Sequence, residues 1–185
     1  MERIECLLKK YATGKVVLVL FILTTLVYLT MLLYTIPVVV SFAPDMVLFD
    51  LSPGGYSLDY AVSLLEALGS DGRAEYLKTQ LPLDFIYPGL FAVTCSLLLT
   101  WLYQKVPTDV PKVQNLSIVP ISVGLFDYSE NILIISMIKS FPDVSEIVVM
   151  LSSIFTILKS GFTIVFIILF FGGVVRFLIA KHYEV

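Results

Sequence analysis

Three ionisable side chains interrupt stretches that are otherwise apolar: Asp127 and Glu130 in one, Lys159 in the next. A charge at the centre of a bilayer costs roughly 2.5 to 3.5 kcal/mol even on the permissive insertion scale, so such groups face a bundle interior and mark a functional site by default. One lysine compensates one carboxylate. With both acids present, a second proton, a cation or a positively charged ligand is needed to avoid an uncompensated buried charge. The expected arrangement is that Asp127 pairs with Lys159, while Glu130, backed by Asn131, is the titrating or ligand-binding group.

Spacing extends the set. Gly124, Asp127 and Asn131 follow at steps of three and four with Glu130 alongside, and Ser152, Thr156, Lys159 and Thr163 step by four, three and four. Each series therefore lies on one face of a helix. Tyr28, Asp84 and Tyr87 are polar groups in the two earlier apolar stretches. The candidate ligand-binding or proton-titrating residues are thus Glu130, Asp127, Lys159, Asn131, Asp84, Tyr87, Thr156 and Tyr28. Counted inward at about 1.5 Å per residue, Glu130, Asp127 and Lys159 lie about 12, 16 and 18 Å deep, near enough to meet, with Asp84 shallow at the mouth. A structural alternative stands beside this: an Asp–Lys pair with amide and hydroxyl partners can simply align helices, at about 0.6 kcal/mol per interhelical hydrogen bond. Taken alone, Tyr28, Tyr87 and Tyr128 read as packing residues with satisfied hydroxyls.

The elements that must position these groups follow from composition. Of 185 residues, 58% are hydrophobic and 15% charged, the balance of a polytopic membrane protein. Apolar runs at 16–40, 83–103, 116–138 and 147–179 each meet the requirement of about 20 residues for crossing a bilayer. The expected fold is an all-α integral membrane protein, a four-transmembrane-helix up-down bundle forming one domain over 1–185, with a short amphipathic helical segment in the first extracytoplasmic loop, 41–81. The first run is too long for a signal-peptide h-region and reads as a retained anchor. A short interfacial helix should precede it, since Ile4, Leu7, Leu8 and Tyr11 recur at helical spacing beside Arg3, Lys9 and Lys10.

Within the loop, Ser57 is placed to cap a helix carrying Leu58, Ala61, Leu64, Leu65 and Leu68, and Gly69 to end it. A second short helix is expected at 73–80. Pro82 then suits the first turn of the second span, and Pro88 should kink it. Asp143 and Glu146 have capping-box spacing ahead of the fourth span. Trp101 and Tyr103 read as an interfacial aromatic belt.

Arg3, Lys9, Lys10, Lys15, Lys105, Lys112, Arg176 and Lys181 fall on one side of the spans, against Arg73, Lys78 and Lys139 on the other. The positive-inside rule then puts both termini in the cytoplasm, in a plasma or inner membrane. The opposite side carries Asp45, Asp50, Asp59, Glu66, Asp71, Glu75, Asp143 and Glu146, expected as a solvated face.

Much chemistry is excluded. Cys6 and Cys95 form no CxxC and fall on different parts of the bundle; Cys6 is at most a palmitoylation site. His182 is the only histidine, which leaves no bis-histidine haem or multi-histidine metal site. No phosphate loop, nucleophile elbow, HExxH or basic nucleic-acid surface is present. No cofactor is expected, and any catalysis would rest on the carboxylates and Lys159, so the pattern favours binding over reaction. The leading expectation is an intramembrane polar cavity that binds an amphipathic or lipid-like small molecule, in contact with the lipid bilayer. The alternatives are a non-catalytic tetraspan scaffold that meets membrane-protein partners through the first loop, and proton-coupled transport by a homo-oligomer.

Overall fold

The computed structural model describes residues 2–105 and 116–183, with side chains for all of these but 2–5, 181 and 183. Lys112 lies outside the described residues, as do the side chains of Arg3, Ile4 and Lys181. The described chain is helical: α1 (Glu2–Tyr11), α2 (Gly14–Thr30), α3 (Ile36–Val40), α4 (Leu58–Glu75), α5 (Leu81–Gln104), α6 (Ile118–Ser140) and α7 (Glu146–Tyr183). Four stretches, Gly14–Val40, Leu58–Gln104, Ile118–Ser140 and Glu146–Ala180, are long and apolar enough to cross a membrane. They give the protein a membrane location. Their outward faces fit that solvent, since Leu18, Phe21, Leu33, Ile168 and Phe171 are exposed.

Two π turns interrupt the helices, and each immediately precedes an X-Pro bond. Met31–Thr35 joins α2 to α3 ahead of Ile36-Pro37, and Tyr76–Gln80 joins α4 to α5 ahead of Leu81-Pro82. Proline has no N–H and its ring crowds the carbonyl four residues back. Widening the turn accommodates it: the Ile36 N–H bonds to the Met31 carbonyl and the Leu81 N–H to that of Tyr76, each five residues back. The helix then continues instead of stopping.

That continuity corrects the expected 73–80 helix. It is not a separate element but the near end of a rod that runs on through Pro82 and Pro88 to Gln104. The break falls earlier, at Gly69, whose φ of 64° is open to glycine and costly for other residues. Arg73 Nη1 reaches back past this break to the Leu65 carbonyl at 2.6 Å. Ser57 caps α4 as its spacing implies, accepting from the Tyr60 N–H at 3.2 Å. Asp143 does not cap α7: the helix begins at Glu146, so Ser145 holds the position before it.

α6 and α7 share the most extensive contact, α5 lies against α6, and α2 against α5. The largest apolar core joins Leu64, Leu65 and Leu68 of α4 to Phe49, Val39, Ile134 and Met137. Burying each such side chain contributes about 1.5 to 3 kcal/mol, which fixes the Phe49–Leu51 turn firmly against the helix ends. Asp50 is carried on that turn.

Candidate functional site

The two spaced series meet where α6 and α7 pack. Lys159 Nζ lies 2.6 Å from Glu130 Oε2 and 3.2 Å from Asp127 Oδ1, so one ammonium bridges both acids. This corrects the expected pairing, in which Asp127 alone took the lysine. Glu130 is fully buried and is held a second time by Thr156, whose Oγ1 donates to Glu130 Oε1 at 2.7 Å. The same hydroxyl lies 3.0 Å from the Ser152 carbonyl, and its single proton serves one acceptor at a time. Glu130 is therefore held at both carboxylate oxygens, by Lys159 and by Thr156.

The acid that no protein donor meets sits on α5. Asp84 is 4% exposed, and its Oδ2 is a buried oxygen with no hydrogen-bond partner. The continuous helix packs α5 against α6 here. Asn131, from α6, donates to the Asp84 backbone carbonyl at 2.7 Å, which locks the two helices in register at this level but leaves the Asp84 carboxylate unserved.

A cavity of about 380 Å³ opens beside these groups. Its walls include Asp50, Asp84, Asp127 and Lys159 as polar members and Tyr28, Tyr87, Phe91, Val123 and Ile164 as ring or apolar members. The rings form a run, with Tyr28 5.6 Å from Tyr87 and Tyr87 5.9 Å from Phe91 between centroids. Of the eight residues singled out by sequence, Tyr28, Asp84, Tyr87, Asp127 and Lys159 border the cavity. Glu130, Asn131 and Thr156 stand behind that wall and hold it.

Spacing alone did not single out Asp50, Tyr76 or Gln80. Asp50, read as one of the solvated acids, is turned onto the cavity and accepts from the Tyr76 hydroxyl, with Gln80 Nε2 at 3.5 Å from its other oxygen. Thr35 in turn donates to Gln80 Oε1. Thr35 and Gln80 come from the two π turns, so the same distortions that accommodate the prolines bring these side chains together. A signal did exist: Tyr76, Gln80, Asp84 and Tyr87 step by four, four and three along one face once the helix is taken as continuous.

Outside the spans, Tyr56 ties the loop to α7. Its N–H donates to Ser153 Oγ at 2.9 Å and its hydroxyl to Ser152 Oγ at 2.7 Å. Burial pushes the Tyr56 hydroxyl well above the usual tyrosine range, so it stays a donor. Gly55, at φ 79°, lies so close to Ser153 and Ile157 that a Cβ there would collide, which lets the loop lie flat on the helix.

Chemically, this is a charged, partly desolvated recess bordered by rings. Acidic groups outnumber basic ones: Asp50, Asp84, Asp127 and Glu130 stand near one ammonium. Among the described residues, no three His, Cys, Asp or Glu side chains converge closely enough to hold a metal ion. No protein-family model, curated protein or solved structure matches the chain.

Proposed function

We propose that this protein is a single-domain, four-span up-down bundle that binds an amphipathic or lipid-like small molecule in the cavity between α2, α5 and α7. The observation that carries this is the recess itself: about 380 Å³ is within the size range of small-molecule sites, and its lining combines apolar walls with a few convergent polar groups. Asp84, Asp127 and Lys159 orient the polar end of the ligand; Glu130, Asn131 and Thr156 hold that wall in place; Tyr28 and Tyr87 flank it. Ile164, a lining residue that is also exposed on α7, supports access from the bilayer side. The helix α4, lying as an amphipathic segment over the loop core, covers the end of the bundle on the acidic side of the membrane. The basic residues near both termini support a cytoplasmic location for them in a plasma or inner membrane.

The test is native mass spectrometry of protein extracted gently from the membrane in which it is made. Wild type should retain a small-molecule or lipid adduct that Ser160→Phe, which fills the cavity from α7, does not. Stripped of adduct, the two should melt alike. Identical adduct profiles in the two proteins would refute a ligand in this cavity.

A further inference from the structure

Asp84 gives the chemical class of the ligand. Its Oδ2 is buried, faces no donor of the protein, and belongs to a residue that borders the cavity. A buried carboxylate oxygen left unsatisfied is costlier than a neutral orphan, so a bound donor that meets it is favoured. Lys159, whose ammonium lies 2.6 Å from Glu130 and 3.2 Å from Asp127, makes no hydrogen bond to it. Asp50, on the same cavity, is met by the neutral donors Tyr76 and Gln80 and adds a second negative charge. The acids are too dispersed for a metal ion, and an anion would be repelled by them.

We propose that the cavity takes a protonated amine: an ammonium that carries N–H donors on an apolar tail, its nitrogen against Asp84 and its tail along Tyr87 and Phe91. This rests on the cavity being a ligand site, as proposed above. The rings suit such a guest twice, because their faces attract a cation and their bodies pack an alkyl chain. An N–H donor matters as well as charge, since the orphan is a hydrogen-bond acceptor that a quaternary ammonium would leave unserved.

The experiment compares saturable binding of decylamine, decyltrimethylammonium and 1-decanol to the full chain in nanodiscs, above binding to empty discs, at pH 7, where a free alkylamine is protonated. Decylamine should bind at least about tenfold more tightly than decanol, the gain expected of one charge-assisted hydrogen bond, with the quaternary ion between them. Asp84→Asn should remove the preference for the amine, bringing its affinity to that of decanol. The wild-type series needs no variant, so it decides the matter even if Asp84→Asn fails to fold. Equal, saturable binding of amine and alcohol to wild type overturns the amine assignment and leaves the cavity reading standing. If neither probe binds above empty discs, both fall.

Discussion

Around Lys159, α6 and α7 meet through an ammonium shared by two carboxylates and a threonine hydroxyl. Around Trp101 and Tyr103, the helices meet through leucines, rings and hydroxyls instead. There, Leu99, Leu102 and Tyr103 pack against Phe166, Leu169 and Phe170, while Tyr103 donates to the Leu169 carbonyl at 2.9 Å. Tyr103 is thus a buried packing residue that also bonds to α7. Midway along α5, Thr24 and Thr94 share a hydrogen bond of 2.8 Å between α2 and α5, without any charge. The Trp101 end shows that this chain can align its helices with cheap, neutral contacts. The other end adds two ion pairs between α6 and α7, and a cavity with an unserved carboxylate accompanies them.

The contrast can be broken most forcefully at Lys159. Replacing it with Met strips the ammonium from Asp127 and Glu130 together and should cost about 3 to 5 kcal/mol, read by unfolding in mixed micelles. Adding Glu130→Gln to that background should recover part of the loss, because one unpaired charge is then removed. Undiminished stability of Lys159→Met would mean that the ion pairs do not hold α6 to α7.

A packing change at the opposite end should cost less and leave ligand retention alone. A Cβ on Gly173 would lie 2.6 Å from Leu102 Cδ2 and 2.9 Å from Tyr103 Cε2, so Gly173→Val should overpack α5 against α7 and destabilise by about 1 to 3 kcal/mol. Loss of the adduct in this variant would show that the two ends are not independent. Smaller again, Thr156→Val removes a partner of the buried Glu130 and should cost about 1 to 2 kcal/mol in the same unfolding assay. The smallest effect belongs to Thr94→Val, about 0.6 kcal/mol, the average for a neutral interhelical hydrogen bond in a membrane. A Thr94 effect as large as that of Thr156 would erase the distinction between the ends.

The sequence was informative where helical periodicity decided the outcome. Asp127, Glu130, Asn131, Thr156 and Lys159 come together because steps of three and four on two long helices leave few other ways to bury them. It was misleading where proline chemistry decided the outcome. Pro82 reads as a helix start, yet a π turn lets the helix pass through it, and Asp84 just beyond it is buried among the helices. Asp50 was hidden for another reason: in a turn between Leu48 and Leu51 no periodicity says which way a side chain points, and only the packing of Phe49 aims its neighbour inward. The choice of Glu130 over Asp127 as the closer partner of Lys159 depends on side-chain reach, which spacing does not encode.

Asp84 and the space beside it carry the central claim, and a high-resolution map of the protein purified gently in nanodiscs from its own membrane tests it most directly. The expected result is non-protein density within hydrogen-bond distance of Asp84 Oδ2, extending along Tyr87 and Phe91. A closed cavity, with the Asp84 carboxylate satisfied by a protein side chain, would contradict it.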